Sequence, residues 1–222
     1  MGISQQIGSS SLSRPGVCTF STRPATPYEG QMIYETDTDL SYIYGGSAWQ
    51  QIAGGTAVGN SGLVYVTSAT IGSGVSSVTV SSCFSTTYDN YRILINDGVS
   101  SQESDFAMTL GSTATGYYYT SLYNRFSAGT PSGLGTLNDV EWRYVGAGTQ
   151  NTNMMEAELQ CPFLAKYTTI TSRMVSQTTG NDGLSMFTQG YLANTTSYTA
   201  MTIRRTAGTM TGGTVTVYGY RK

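Results

Sequence analysis

Short segments in which apolar and polar residues alternate fill the chain from residue 63 to residue 222. Tyr91, Ile93 and Ile95, for example, fall on one side of an extended backbone. Because successive side chains of a strand point to opposite faces, this spacing predicts strands that bury one face. Segments of this kind occupy residues 63–67, 76–82, 91–96, 105–110, 117–123, 140–145, 154–159, 168–175, 185–191, 200–204 and 214–220. Turn-forming residues separate them, so we predict a jelly-roll-like antiparallel β-sandwich.

The composition also favours strands over helices. Charged residues make up 11% of the chain, whereas there are 27 Gly and 17 Tyr. Tyr, Thr and Val favour strands, and Gly and Asn favour the turns between them. The predicted fold class is therefore all-β.

Charge and hydropathy limit the partners that we expect. The chain has 11 Lys and Arg residues and a net charge of -2, too few cations for strong binding to nucleic acid. No apolar run approaches the roughly 20 residues that cross a bilayer. We therefore predict neither a nucleic-acid partner nor membrane insertion.

Four regions can be distinguished along the chain. Residues 1–22 are polar and Ser-rich and predict an extended N-terminal arm. Residues 23–53 predict a small β-meander, and residues 54–62 form a Gly-rich linker. The β-sandwich is expected to occupy residues 63–222.

The meander region holds three predicted strands, at residues 31–35, 40–44 and 48–52, with Trp49 as its expected anchor. A unit of this size is marginal alone, so we expect it to gain stability by association. The arm should become ordered only against a partner. The residues that we expect at a subunit or particle interface are Ile3, Ile7, Arg14, Val17, Met32, Tyr34, Tyr42, Tyr44 and Trp49.

The residues that could carry catalysis are few. The chain has no His, which excludes Ser–His and Cys–His nucleophiles. Asp37 and Asp39 could form a calcium loop or a glycosidase pair, but turn chemistry explains them better. Glu156 and Glu158 share a strand face and are better explained as a solvated or Arg-paired surface. We predict a protein that is not an enzyme and that uses no cofactor and no metal.

Three cysteines and a tyrosine cluster complete the candidates. Cys18, Cys83 and Cys161 have no disulfide or zinc spacing and are predicted to be buried free thiols. Residues 117–119, three consecutive tyrosines, could together with Tyr123 stack sugars, form an inter-chain contact or simply pack. Alternation should point one of the three away from the other two.

Three segments of the chain resemble structural proteins of tailed bacteriophages. They are residues 23–39 (RPATPYEGQMIYETDTD) with Tyr42, Tyr44 and Trp49, the start at residues 2–8 and 14–17, and residues 212–220 (GGTVTVYGY). The resemblance implies a component of the virion exterior, often a homotrimer, and brings no catalytic residues.

Two functions follow from this resemblance. The first is a head decoration, or cement, protein that bridges copies of the major capsid protein, because the chain is short and has no shaft. The second is a tail fibre or receptor-binding protein that contacts glycans on the host surface. A polysaccharide-degrading enzyme using Glu156 or Asp139 is a third, weaker hypothesis.

Overall fold

The computed structural model describes residues 15–54, 62–177 and 182–221. The chain divides into two compact units, residues 1–60 and 61–222. Both are built from strands, and no α-helix occurs in the described ranges. The all-β prediction, with a small N-terminal sheet followed by large antiparallel sheets, is confirmed.

The N-terminal unit is a four-stranded sheet in the order β1-β2-β3-β4. Its strands are β1 (Gly16–Cys18), β2 (Met32–Glu35), β3 (Leu40–Tyr44) and β4 (Trp49–Gly54), and a 3-10 turn (Phe20–Thr22) follows β1. Strands β2 to β4 form the predicted antiparallel meander.

Strand β1 lies within the region where the sequence predicts an extended arm, residues 1–22. Residues 16–18 instead pair in parallel with β2. The backbone N–H of Thr36 donates to the carbonyl of Cys18 at 3.0 Å, and the N–H of Phe20 donates to the Asp37 carboxylate. Strand β1 therefore covers one edge of β2, and the two bonds attach the residues at the end of β1 and after it to the turn that follows β2.

The larger unit contains fifteen strands in its described residues. They are β5 (Leu63–Thr70), β6 (Ser73–Val75), β7 (Ser77–Val80), β8 (Asn90–Asn96), β9 (Val99–Ser100), β10 (Ser104–Leu110), β11 (Tyr117–Arg125), β12 (Ser132–Asp139), β13 (Trp142–Gly148), β14 (Asn153–Gln160), β15 (Thr168–Gln177), β16 (Gly183–Leu192), β17 (Met201–Arg205), β18 (Met210–Thr211) and β19 (Thr214–Tyr220).

Their pairing builds an antiparallel sandwich. The large layer has the order β12-β11-β16-β15-β14-β8-β19-β5, and the small layer has the order β13-β10-β17-β7. Strands β13 and β14 pair only at Ala147–Met154 and Gly148–Asn153, where the chain passes from one layer to the other. Strands β6, β18 and β9 form a separate small sheet.

The core lies between these layers and contains the predicted inward faces. Tyr91, Ile93 and Ile95 of β8 are buried against strands of the small layer. Trp142 and Tyr117 meet edge to face at 5.0 Å, and both are fully buried. The other predicted faces, Phe106 with Met108 and Leu110, and Val215 with Val217, are buried in the same cluster.

Turns at two predicted positions meet at the ends of the paired strands β8 and β19. Asp97 and Gly98 have φ of 65° and 80°, and Gly212 and Gly213 have φ of 71° and 90°. A Cβ on Gly98 would overlap the carbonyl of Gly212, so the two turns approach as closely as backbone allows. Glycine is required here both for its dihedral angles and for its lack of a side chain.

The cysteine prediction is only partly right. All three thiols are free, but Cys18 and Cys161 are half-buried and only Cys83 is buried. Burial raises the pKa of Cys83 to about 12. Cys18 lies on a short edge strand, where few neighbours can cover it.

Candidate functional site

The N-terminal unit has almost no interior. Among residues 15–52, whose burial the structure describes, only Ile33 and Glu35 are buried. One of these two is a carboxylic acid, so a single apolar side chain forms the core of this unit. A folded unit normally buries most of its apolar side chains, and this one leaves them at the surface.

A charged cluster replaces a core on one face of the sheet. The Arg23 guanidinium lies over the rings of Phe20 and Tyr42, at 4.9 and 4.3 Å from their centroids, and forms an ion pair with Glu35. Thr38 donates its hydroxyl to the other Glu35 oxygen at 2.8 Å. The hydrogen bond from Arg23 is the main reason that the pKa of Glu35 lies below its ordinary value.

The same face carries the aromatic residues of β3 and β4. Tyr44 and Trp49 are paired across the strands and meet edge to face at 5.3 Å. Tyr42, Tyr44 and Trp49 are all half-buried. Trp49 therefore packs on one neighbouring ring and keeps part of its surface accessible.

The opposite face carries four largely apolar side chains, with Ser41 and Gln50 beside them. Val17 is paired with Tyr34, and Met32 with Ile43, which places the four side chains on one side of the sheet. Val17 is 69% exposed and Met32 is 39% exposed. The hydroxyl of Tyr34 donates to Asp39 at 2.7 Å, and this bond is the main cause of the raised pKa of Tyr34. We call Val17, Met32, Tyr34 and Ile43 the open face.

The predicted interface residues therefore separate into two groups. Val17, Met32 and Tyr34 lie on the open face, whereas Tyr42, Tyr44 and Trp49 lie on the side of Arg23. The remaining three, Ile3, Ile7 and Arg14, lie outside the described residues. The sequence pattern did not indicate Ile43 or Arg23, because a pairing register and an ion pair are needed to find them.

A second site lies on the outer surface of the large layer. Tyr118 of β11 and Tyr191 of β16 are directly paired, and their rings stack at 4.9 Å with an angle of 5°. Tyr167, which precedes β15, lies parallel to Tyr191 at 6.0 Å and 1°. Tyr117 and Tyr119 are buried on the other side, as the alternation predicted.

Tyr118 and Tyr191 border a groove of about 650 Å³, and Tyr167 stacks on Tyr191 outside its lining. Thr169 and Gln160 continue the row of Tyr191 across β15 and β14. Thr171 and Gln189 are paired in the adjacent row. We call this site the tyrosine groove, and its main lining residues are Tyr118, Thr120, Leu137, Gln160, Thr169, Thr171, Gln189 and Tyr191.

Charged residues lie beside the groove and neutralise one another. Glu156 is ion-paired with Arg92 and, at 2.6 Å, with Arg173. Glu158 lies 3.9 Å from Arg92 and accepts the hydroxyl of Tyr220. The predicted Arg-paired surface at Glu156 and Glu158 is confirmed.

The remaining acidic pair is used in a turn, as predicted. Asp39 has a φ of 55° and accepts from Tyr34, while Asp37 accepts from the backbone of Phe20. In the described part of the chain, no three His, Cys, Asp or Glu side chains come close enough to bind a metal together. The described residues also contain no helix of the length and hydropathy that a membrane crossing needs.

No family model matches the chain. Searches of curated proteins and of solved structures also found no match. The two surfaces described above offer packing, stacking and hydrogen bonds to a partner.

Proposed function

We propose that this protein is a non-enzymatic structural component of the exterior of a bacteriophage particle. In this proposal, the N-terminal unit joins copies of the chain into a homotrimer that decorates the head and bridges capsid subunits. The observation that carries the proposal is the N-terminal unit's lack of a core. Ile33 is its single buried apolar side chain among residues 15–52, while Val17 and Met32 face outward.

The energetics favour association over an isolated unit. Fully burying a Val, Ile or Met side chain stabilises a fold by about 1.5–3 kcal/mol. The open face would gain this free energy only if another protein surface covered it. Contacts that are weak individually become strong when many copies bind together on a particle.

The sheet edges support the same proposal. In the described residues, β1 pairs only with β2, and β4 pairs only with β3. Each edge therefore presents backbone groups that a neighbouring strand can pair with. Copies related by rotational symmetry would present the same edges and the same open face to one another.

The bacteriophage setting and the number three come from the resemblance of residues 23–39 to phage structural proteins. The low charge content, 11%, suits a surface that neighbours cover.

Sedimentation equilibrium tests the assembly. We expect the wild-type chain to have a mass of three 23.7 kDa protomers and the Val17→Glu/Met32→Glu variant to be a monomer. Burying two carboxylates in an interface is strongly unfavourable. Ser47→Glu, an exposed position in the turn between β3 and β4, serves as the control and should remain a trimer. A monomeric wild-type protein would contradict the proposal.

A tail fibre or receptor-binding protein is the second candidate, and the tyrosine groove favours it. Exposed stacked aromatic rings are more useful for recognition than for bridging capsid subunits. Quantitative mass spectrometry of purified particles separates the two functions. A copy number close to that of the major capsid protein supports decoration, and a few copies per particle support a tail position.

A further inference from the structure

We propose that the tyrosine groove is a binding site for a neutral oligosaccharide. This function goes beyond the assembly role of the N-terminal unit, because its residues belong to β11, β14, β15 and β16 of the larger unit. The inference depends on the chemistry of the groove's lining, on its charge and on its shape.

The aromatic rings supply the apolar part of the site. Tyr191 is 41% exposed and Tyr167 is 55% exposed. Both rings therefore remain accessible to a partner although they stack on each other. Ring faces and edges pack against the C–H groups of a sugar, while the phenol hydroxyls stay in contact with water. Tyr118 is half-buried on the neighbouring strand and stacks beside Tyr191, which restricts the orientation of the Tyr191 ring.

The polar part of the site consists of amides and hydroxyls. Gln160 and Gln189 each carry both donors and acceptors, as sugar hydroxyls do. The hydroxyl of Thr169 donates to the side-chain oxygen of Gln160 at 3.0 Å, which orients the Gln160 amide nitrogen away from that bond. An apolar peptide or helix that covered these groups would leave them without hydrogen-bond partners.

The charge of the groove selects a neutral ligand. None of its lining residues carries a charge. Beside the lining, Glu158 is paired across the strands with Thr171 and lies 3.9 Å from Arg92. Arg92 and Arg173 both form ion pairs with Glu156. Among the lining residues, a phosphate, an acidic polysaccharide or a nucleic acid would find no cation to bind it.

The shape favours a chain of sugars over a single small molecule. The groove runs across four neighbouring strands and is open along the sheet, with Leu137 of β12 at one side. Its volume of about 650 Å³ lies within the range of ligand-binding clefts. The row of tyrosines gives successive contact points for consecutive sugar units.

A glycan array of bacterial surface polysaccharides, followed by titration calorimetry with the best neutral oligosaccharide, tests the inference on the full-length chain. We expect neutral glycans to bind and Tyr191→Ala to weaken binding by about tenfold or more. Affinity should change little with salt, because no ion pair contributes.

Tyr65→Ala is the matched control. Tyr65 is 59% exposed on β5 of the same layer but does not line the groove, so its loss should leave glycan affinity unchanged. Unfolding temperatures of both variants check that the sandwich remains folded.

Three results would overturn the inference. The first is that the protein binds acidic glycans only. The second is that Tyr191→Ala binds neutral glycans with wild-type affinity. The third is that the wild-type protein binds no glycan and that Tyr191→Ala loses self-association. The last would assign the groove to a second copy of the chain. Failure here is distinguishable from failure of the assembly proposal, because Val17→Glu/Met32→Glu alters the mass without altering the groove.

Discussion

Arg23 packs against the rings of the N-terminal unit in the way that an apolar side chain does in most small folded units. Its guanidinium stacks on two rings and neutralises Glu35, which is completely buried. Removing either partner would leave the other charge without its ion pair and should destabilise the N-terminal unit. The Arg23–Glu35 pair therefore supports a unit in which Ile33 is the single buried apolar side chain of residues 15–52.

Glu35 should make the N-terminal unit sensitive to acid. The pair with Arg23 lowers the pKa of Glu35 from its ordinary value of 4.5. Below pH 4.5 the Glu35 carboxylate binds a proton more readily in the unfolded chain than in the folded chain. The stability that the pair contributes therefore decreases as the pH is lowered. Incorporating 5-fluorotryptophan and following the ¹⁹F signal of Trp49 from pH 7 to pH 3 measures this loss.

The control for the pH titration is Glu35→Gln, which cannot ionise. Its N-terminal unit should be less stable at pH 7, and the Glu35 contribution to the pH dependence should be absent. An identical acid transition of the Trp49 signal in the wild type and in Glu35→Gln would contradict the assignment.

At the scale of elements, alternation identified the strands that bury one face. β8, β10, β14 and β19 were located from sequence because their apolar residues recur at every second position. β12 was not found, since Gly133 and Gly135 weaken the pattern and most of its residues are exposed. The two- and three-residue strands β1, β6, β9 and β18 are too short to carry a period.

The tyrosine groove shows why a site is harder to predict than a strand. Alternation predicted that Tyr118 points away from Tyr117 and Tyr119. Its partners, Tyr191 and Tyr167, are about fifty or more residues away in sequence and meet it only through the pairing of β11, β16 and β15. The register of distant strands depends on the packing of the whole sandwich.

The two close turns of the sandwich provide a test of its construction. Gly98→Ala would place a methyl group against the backbone of Gly212 at a φ of 80°. We expect a loss of about 2 kcal/mol or more in the free energy of unfolding, measured by urea denaturation.

Gly129→Ala is the matched control for this turn. A Cβ at Gly129 meets nothing within 4 Å, and the position lies in an exposed loop. Its stability should stay within about 0.5 kcal/mol of the wild type. Equal losses of stability in Gly98→Ala and Gly129→Ala would show that the close approach of the two turns is not the cause of the loss.

At the scale of the whole molecule, the two units differ in how they are stabilised. Apart from Ile33, every buried apolar side chain of the described residues belongs to the larger unit. That unit has a core between two layers and is large enough to fold alone. The N-terminal unit depends, in our proposal, on copies of itself.

The decisive measurement is ¹⁹F NMR of the fluorotryptophan-labelled chain during serial dilution. The chain contains two tryptophans, Trp49 in the N-terminal unit and Trp142 in the sandwich core, and Trp49→Phe assigns the two signals. We predict that dilution shifts the Trp49 signal toward its unfolded position while the Trp142 signal stays unchanged. A Trp49 signal that remains native at every concentration in a monomeric protein would contradict the claim that the N-terminal unit needs partner subunits.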